Sequence, residues 1–175
     1  SRPLFEKIRR TRGDAVRLPN AADAERFESL PSRNASPLAR LTRPVIGYYG
    51  AIAEWFDAAL VRDVARSRPD YTFVLIGDVA NQDAARLSEL ANVRLLGEKP
   101  YELMPSYLAE FDVCLIPFRI SPLTLATDPV KLYEYFSQGK PVVATPLPEL
   151  RRHQPLVTLS ADAASFAASI DAALH

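Results

Sequence analysis

From Pro44 onward the chain repeats one unit: a short apolar run, a turn, then a stretch with helical spacing. The apolar runs fall at 45–49, 71–76, 93–96, 113–118, 142–144 and 156–159. They are rich in Val, Ile, Leu and aromatic residues, and several are bounded by Gly or Pro. Short runs without polar alternation are the signature of strands buried on both faces. Between them, 58–67 places Leu60, Val61, Val64 and Ala65 at helical spacing, and 101–110 does the same with Leu103, Met104, Tyr107 and Leu108. Two further helices are predicted over 128–139 and 162–174. Strands that alternate with helices of about ten residues are joined by right-handed crossovers and form a parallel sheet. The expected fold is α/β, a Rossmann-like doubly wound sheet of about six strands.

Composition narrows the class. A chain of 175 residues that is 48% hydrophobic buries one large core and is not disordered. No apolar run approaches the roughly 18 residues of a membrane-spanning helix. The 21 basic and 21 acidic side chains cancel, which argues against nucleic acid as the main partner. Cys114 is the single cysteine, so no internal disulfide forms, and two histidines are too few for most transition-metal sites. The first residues run into a charged segment, so no signal peptide is expected. Residues 1–43 nevertheless hold ten basic and five acidic side chains, and the rest of the chain is acidic. Residues 31–44 carry three prolines and read as a loop or linker. The expected division is a basic lead-in over 1–43 and an ordered body over 44–175.

Ligands of such sheets bind beyond the carboxyl ends of the strands, where strand order reverses. The loop after the first run reads Gly47-Tyr48-Tyr49-Gly50-Ala51-Ile52. Gly50 either ends a strand or lets a phosphate or sugar approach the backbone. The dinucleotide and Walker glycine patterns are both missing, which speaks against a nicotinamide oxidoreductase or an ATPase. The richest loop, 117–127, leads into a helix at Asp128-Pro129-Val130-Lys131. Asp128 suits the N-cap, Pro129 the first helical position, and Gly139 the helix end. Lys131, Glu134 and Gln138 share one polar stripe. One reading of Lys131 and Glu134 is a surface ion pair worth about 0.2–0.5 kcal/mol. Against it, Lys before Glu is the weaker order and a cation in the first turn opposes the helix dipole. Both make sense if an anion docks at the helix N-terminus, with Asp128 competing for the same amides.

Other residues carry plainer readings. Cys114 is expected in the core, His153 on the surface, and His175 is terminal. Trp55 caps the cleft, stacks on a ligand or simply packs. Lys7, Arg9, Arg10 and Arg12 form either a solvated helix end or a face for anionic lipid or a lipid-diphosphate acceptor.

The stretch Asp128-Pro129-Val130-Lys131-Leu132-Tyr133-Glu134-Tyr135-Phe136-Ser137-Gln138-Gly139, running on to Thr145, resembles the donor-binding motif of GT-B glycosyltransferases of family 4 (group 1). The run 46–57 is similar to the opening strand and loop of members that assemble bacterial polysaccharides. The run 92–118 is similar to the part that holds the nucleotide. Leu18-Pro19-Asn20-Ala21-Ala22-Asp23 with Phe27 resembles the segment joining the two GT-B domains. The resemblance implies the C-terminal, nucleotide-sugar-binding domain of a retaining transferase that builds a surface polysaccharide. With a start at Ser1, it implies that the N-terminal acceptor domain is absent and that this chain alone is inactive. Glu134 would hold the donor ribose, and the backbone around Thr127, Asp128 and Val130 would face the diphosphate with Lys131. Lys99, Pro100 and Tyr101 would border the base, and Gly50 and Ala51 would approach the phosphates or the sugar. No residue is assigned as catalytic, and no metal or cofactor is expected beyond the nucleotide-sugar substrate. The acceptor would be a glycan or lipid-linked, and the location cytoplasmic or peripheral at the inner membrane face. Two features depart from the family. The first motif glutamate is replaced by Ala126, and no Arg and Lys follow the first strand, where Arg119 and Lys131 would substitute. A nucleotide-sugar epimerase half and a non-catalytic binding module remain alternative readings.

Overall fold

Six strands run side by side in the computed structural model, which describes residues 1–28 and 38–175. Of the expected linker at 31–44, residues 31–37 therefore lie outside the described residues. Two helices belong to the lead-in, α1 (Arg2–Arg9) and α2 (Ala24–Glu28). The body then follows as β1 (Val45–Tyr49), α3 (Ala58–Ser67), β2 (Thr72–Ile76), α4 (Gln82–Ala85), β3 (Val93–Leu95), α5 (Met104–Ala109) and β4 (Val113–Ile116). It ends as α6 (Pro122–Leu125), α7 (Val130–Ser137), β5 (Val142–Ala144), α8 (Pro148–Arg151), β6 (Val157–Leu159) and α9 (Ala163–Ala173).

Every strand pair is parallel and the order is β3-β2-β1-β4-β5-β6. The doubly wound sheet of six strands is thus present as expected. Every residue of β1, β2 and β4 is buried, which is why their sequences lack alternation. Right-handed crossovers divide the helices between two faces. On one, α3 packs with α4 and α9; on the other, α2 packs with α5 and α7. The apolar stripe of α3 is buried as its spacing predicts, and Asp57 caps it by accepting from the Leu60 N–H at 3.0 Å. Cys114 is fully buried on β4.

Several boundaries differ from the sequence reading. The predicted helix over 101–110 is a 3-10 turn (Tyr101–Leu103) followed by α5. The loop 117–127 contains α6, closed by a reciprocal capping box between Ser121 and Thr124. Asp128 is not the N-cap of α7; Pro129 occupies that place and no side chain caps this end. Gly139 does end α7, with φ of +62° that favours glycine and a bond from its N–H to Phe136 O at 2.9 Å.

One close contact fixes how α5 meets the sheet. A Cβ on Gly47, in the middle of β1, would lie 2.1 Å from the ring of Phe111, itself fully buried. Gly47→Ala should therefore lower stability by about 1–3 kcal/mol or more through overpacking, read as a lower urea midpoint. Gly13→Ala, at a position with open space around it, is the control and should leave the midpoint unchanged. A wild-type midpoint for Gly47→Ala would show that the close packing is wrong.

Candidate functional site

Strand order reverses between β1 and β4, so the loops that follow these two strands part and leave a crevice. Backbone bonds hold its rim. The Gly50 N–H donates to Ile76 O at 2.8 Å and the Gly77 N–H to Gly97 O at 2.9 Å, joining the loops after β1, β2 and β3. A Cβ on Gly77 would meet Gly50 O at 2.1 Å, so only glycine allows that approach. On the other side the Asp57 N–H donates to Pro117 O and the Arg119 N–H to Trp55 O, each at 2.8 Å.

Two clefts open along this edge. The first, of about 580 Å³, is lined by Tyr49, Gly50, Ala51, Lys99, Pro100 and Tyr101 among others. The second, of about 380 Å³, is lined by Trp55, Phe118, Leu123, Thr127, Val130 and Lys131 among others. Arg119 lines neither of these two; its guanidinium leans toward Asp83 at 4.0 Å.

Beneath the first cleft lies Glu134, only 4% exposed. Its two carboxylate oxygens accept from different phenols, Oε2 from Tyr49 at 2.8 Å and Oε1 from Tyr101 at 2.6 Å. Burial and the neighbouring carboxylate push both tyrosine hydroxyls well above their ordinary pKa. Tyr101 is held in turn by the edge of Phe27 at 6.0 Å and by the Arg26 guanidinium at 5.5 Å.

Lys131 leaves the first turn of α7 toward the junction of the clefts. Its amine lies 5.0 Å from the Phe118 ring centre and 5.3 Å from that of Tyr48. It also rests on the Gly50 turn, where an added Cβ would come within 3.2 Å of Nζ. Burial pushes the ammonium down to about 8, opposed by the charge of Glu134. The surface ion pair of Lys131 with Glu134 therefore does not form. Nor is the stripe solvated, because Gln138 donates to Phe27 O and Pro105 O, both at 3.0 Å.

Asp128 turns away from the amides for which it was expected to compete. Its carboxylate accepts from Tyr133 at 2.9 Å and from Arg152 at 3.4 Å, and it takes the Asn20 N–H at 3.4 Å. Asn20 also donates its side-chain N–H to Asp128 O at 2.6 Å. The first N–H groups of α7 are left without a side-chain cap beside Lys131, the arrangement that receives an anion. His153, expected on the surface, packs edge-on against Tyr133 and Phe136, which its apolar ring faces allow.

Of the residues singled out from the sequence, the structure brings Gly50, Ala51, Lys99, Pro100 and Tyr101 to one cleft and Thr127, Asp128, Val130 and Lys131 to the other, and leaves Arg119 outside both. Tyr49, the second partner of Glu134, was not singled out from the sequence, although it ends β1 at the reversal point. Among the described residues no group of three His, Cys, Asp or Glu side chains is placed to hold a metal, and no helix is long and apolar enough to cross a membrane.

The family model for glycosyl transferases group 1 matches residues 43–175. The Bacillus subtilis (strain 168) protein that carries the name teichuronic acid biosynthesis glycosyltransferase TuaH is 34% identical over 113 residues, which is 63% of this chain and 28% of that one. Among solved structures, HepE of Anabaena with UDP and glucose aligns at TM-score 0.66 and 20% identity, covering 89% of this chain and 46% of HepE. Sucrose-phosphate synthase of Thermosynechococcus elongatus aligns at TM-score 0.68 and 19% identity, covering 98% and 47%. The chain thus spans less than half the length of each of these relatives.

The buried amine gives a direct test of the site. Of the four lysines, reductive 13C-methylation should show one resonance titrating near pH 8, at the position burial sets for Lys131. That resonance should be missing in Lys131→Met; a Lys131 that titrates like an exposed lysine would contradict the placement.

Proposed function

This chain belongs to the glycosyl transferases of group 1, and from that premise we propose that it is the nucleotide-sugar-binding half of a retaining GT-B glycosyltransferase. The observation that carries the reading is the position of Lys131. Its amine rests on the Gly50 turn that lines the first cleft and itself lines the second. A cation and a set of uncapped helix amides therefore stand between two clefts, as a diphosphate between a nucleoside and a sugar requires.

In this reading the nucleoside occupies the first cleft, with the base beside Lys99, Pro100 and Tyr101 and the ribose over Glu134. The diphosphate meets Lys131 and the amides around Val130, and the sugar enters the second cleft. When the glycosidic bond breaks, the bonding electrons leave with the nucleoside diphosphate, whose negative charge grows. A fixed ammonium and preorganised N–H dipoles stabilise that charge more in the transition state than in the bound substrate. The proposed chemistry needs no metal, because these donors take the developing charge. HepE, solved with UDP and glucose and with UDP-glucose, supports a nucleotide-sugar ligand. TuaH, by its name, supports a role in a cell-surface polysaccharide.

The chain covers 28% of TuaH, and we place the acceptor, a glycan or lipid-linked, on a further domain. The division at residues 43 and 44 belongs to the same proposal, with the lead-in as the interdomain segment. Asn20 and Arg17 tie that segment to Asp128 and to Glu149, the latter at 3.0 Å, so its path bears on the loop before α7. On α1, Leu4 and Ile8 are each 50% exposed beside Lys7 and Arg9, which supports peripheral contact with anionic lipid at the cytoplasmic face.

Calorimetric titration with UDP, GDP and dTDP tests the reading, which fails if none binds even at millimolar concentration. Glu134→Ala should weaken nucleotide binding tenfold or more, about 1.4 kcal/mol, and unchanged affinity would remove Glu134 from the site. Lys131→Met should weaken diphosphates more than monophosphates. Lys131 is charged below its pKa and neutral above it, so diphosphate affinity should fall as the pH rises through about 8. An affinity flat across that range would take Lys131 off the phosphates.

A further inference from the structure

We propose that Arg152 and Tyr133 are positioning residues for the diphosphate, because they hold the Asp128 carboxylate off the first amides of α7; this rests on the nucleotide-sugar reading above. An aspartate in a turn has a local partner at hand, since its carboxylate can fold back onto the N–H two residues on. For Asp128 that N–H belongs to Val130, the first residue of α7. A carboxylate there also gains from the helix dipole. Under local forces alone, Asp128 would occupy an amide that the phosphate needs and set a negative charge beside it.

In the fold it is drawn the other way. The Tyr133 hydroxyl donates to Asp128 Oδ1 at 2.9 Å and accepts from Arg152 Nη2 at 2.6 Å, so one hydroxyl serves as both donor and acceptor. The same Nη2 lies 3.4 Å from Asp128 Oδ2. Arg152 is itself fixed from behind, its Nε donating at 3.1 Å to Nε2 of His153, whose imidazole burial favours in the neutral form. Glu149 is a rival for the guanidinium, but its Oε2 lies nearer to Arg17 of the lead-in, 3.0 Å against 3.4 Å. The Asn20 N–H adds a contact to Asp128 Oδ2 at 3.4 Å. Asp128 is only 8% exposed, and a buried carboxylate that loses its partners must find others. Without the phenol and the guanidinium, the nearest strong donors are the amides of α7. Neither Tyr133 nor Arg152 lines either cleft, so each acts on a ligand through Asp128.

The test takes whichever of UDP, GDP and dTDP binds, together with its nucleoside. Tyr133→Phe combined with Arg152→Gln should weaken the diphosphate roughly tenfold, the scale of one N-cap contact, and leave the nucleoside unchanged. In the Asp128→Ala background no carboxylate remains to be released, and the same two changes should cost less than about twofold. In the ligand-free chain the amide protons of Val130 and Lys131 should move downfield in the double variant, as a new acceptor reaches them. They should stay in place when Asp128→Ala is added. An equal loss in both backgrounds would mean that the Arg152 charge acts on the diphosphate directly, and would overturn the inference. Unmoved amides, an unchanged diphosphate affinity, or an equal loss for the nucleoside would each overturn it as well, while the nucleotide reading stands. If none of the three diphosphates binds the unaltered chain, both fall.

Discussion

The site depends on the position of β1, a strand buried on both faces with a parallel neighbour on each side. The chain winds away from β1 through β2 and β3, then returns to its other side as β4 and winds the opposite way. Right-handed crossovers then put the connecting helices on opposite faces, and the loops after β1 and β4 diverge. The crevice is a topological necessity before any side chain is considered. Gly47 lets Phe111 rest on the middle of β1, and Gly77 lets its backbone touch that of Gly50. Small residues at these points bring the layers and loops close enough for the crevice to have a rigid floor.

Within that crevice two unlike charges stand one turn apart on α7 without pairing. Burying a carboxylate is costly unless hydrogen bonds replace its water, and for Glu134 two phenols do so. Burying an ammonium is costly too, and for Lys131 two ring faces supply partial compensation. Had the two groups met, each would have satisfied the other. Their separate partners keep an acid under one cleft and a base at its junction with the next. Asp128 adds to this arrangement by turning to Tyr133 and Arg152, which leaves the first amides of α7 without a side-chain cap.

Much of this was legible in the residues. The unalternating runs named the strands in the middle of the sheet because strands covered on both faces have no polar side to show, whereas β3 and β6 at its edges expose Arg94 and Thr158. The glycine at 139 marked the end of α7 because only a residue without Cβ takes that φ at little cost. Lys131 was conspicuous because it stands where a helix dipole repels it. Other features were not legible. Asp128 has the right chemistry for an N-cap, yet its carboxylate found partners on α7 and α8-adjacent Arg152, a choice between local and distant hydrogen bonds that sequence spacing does not contain. Tyr49 and Tyr101 lie 85 and 33 positions from Glu134 along the chain, and no local pattern signals such a pair. His153 lies beside two arginines and is half-buried, its ring packed edge-on against Tyr133 and Phe136, which no local pattern signals.

The sequence alone determined the class of fold, the succession of its six strands and the helix on which the charged residues lie, because periodicity and glycine placement act over a few residues; the short helices α4, α6 and α8 went unread. Only the tertiary structure decided which polar group meets which. Strand order brings loops from four strands to one edge, and there the competition among partners for Glu134, Lys131 and Asp128 is settled by distance and burial. Those contacts turn a polar stripe on one helix into a buried acid held by two phenols and, one turn away, a cation held by two ring faces at the meeting of two clefts.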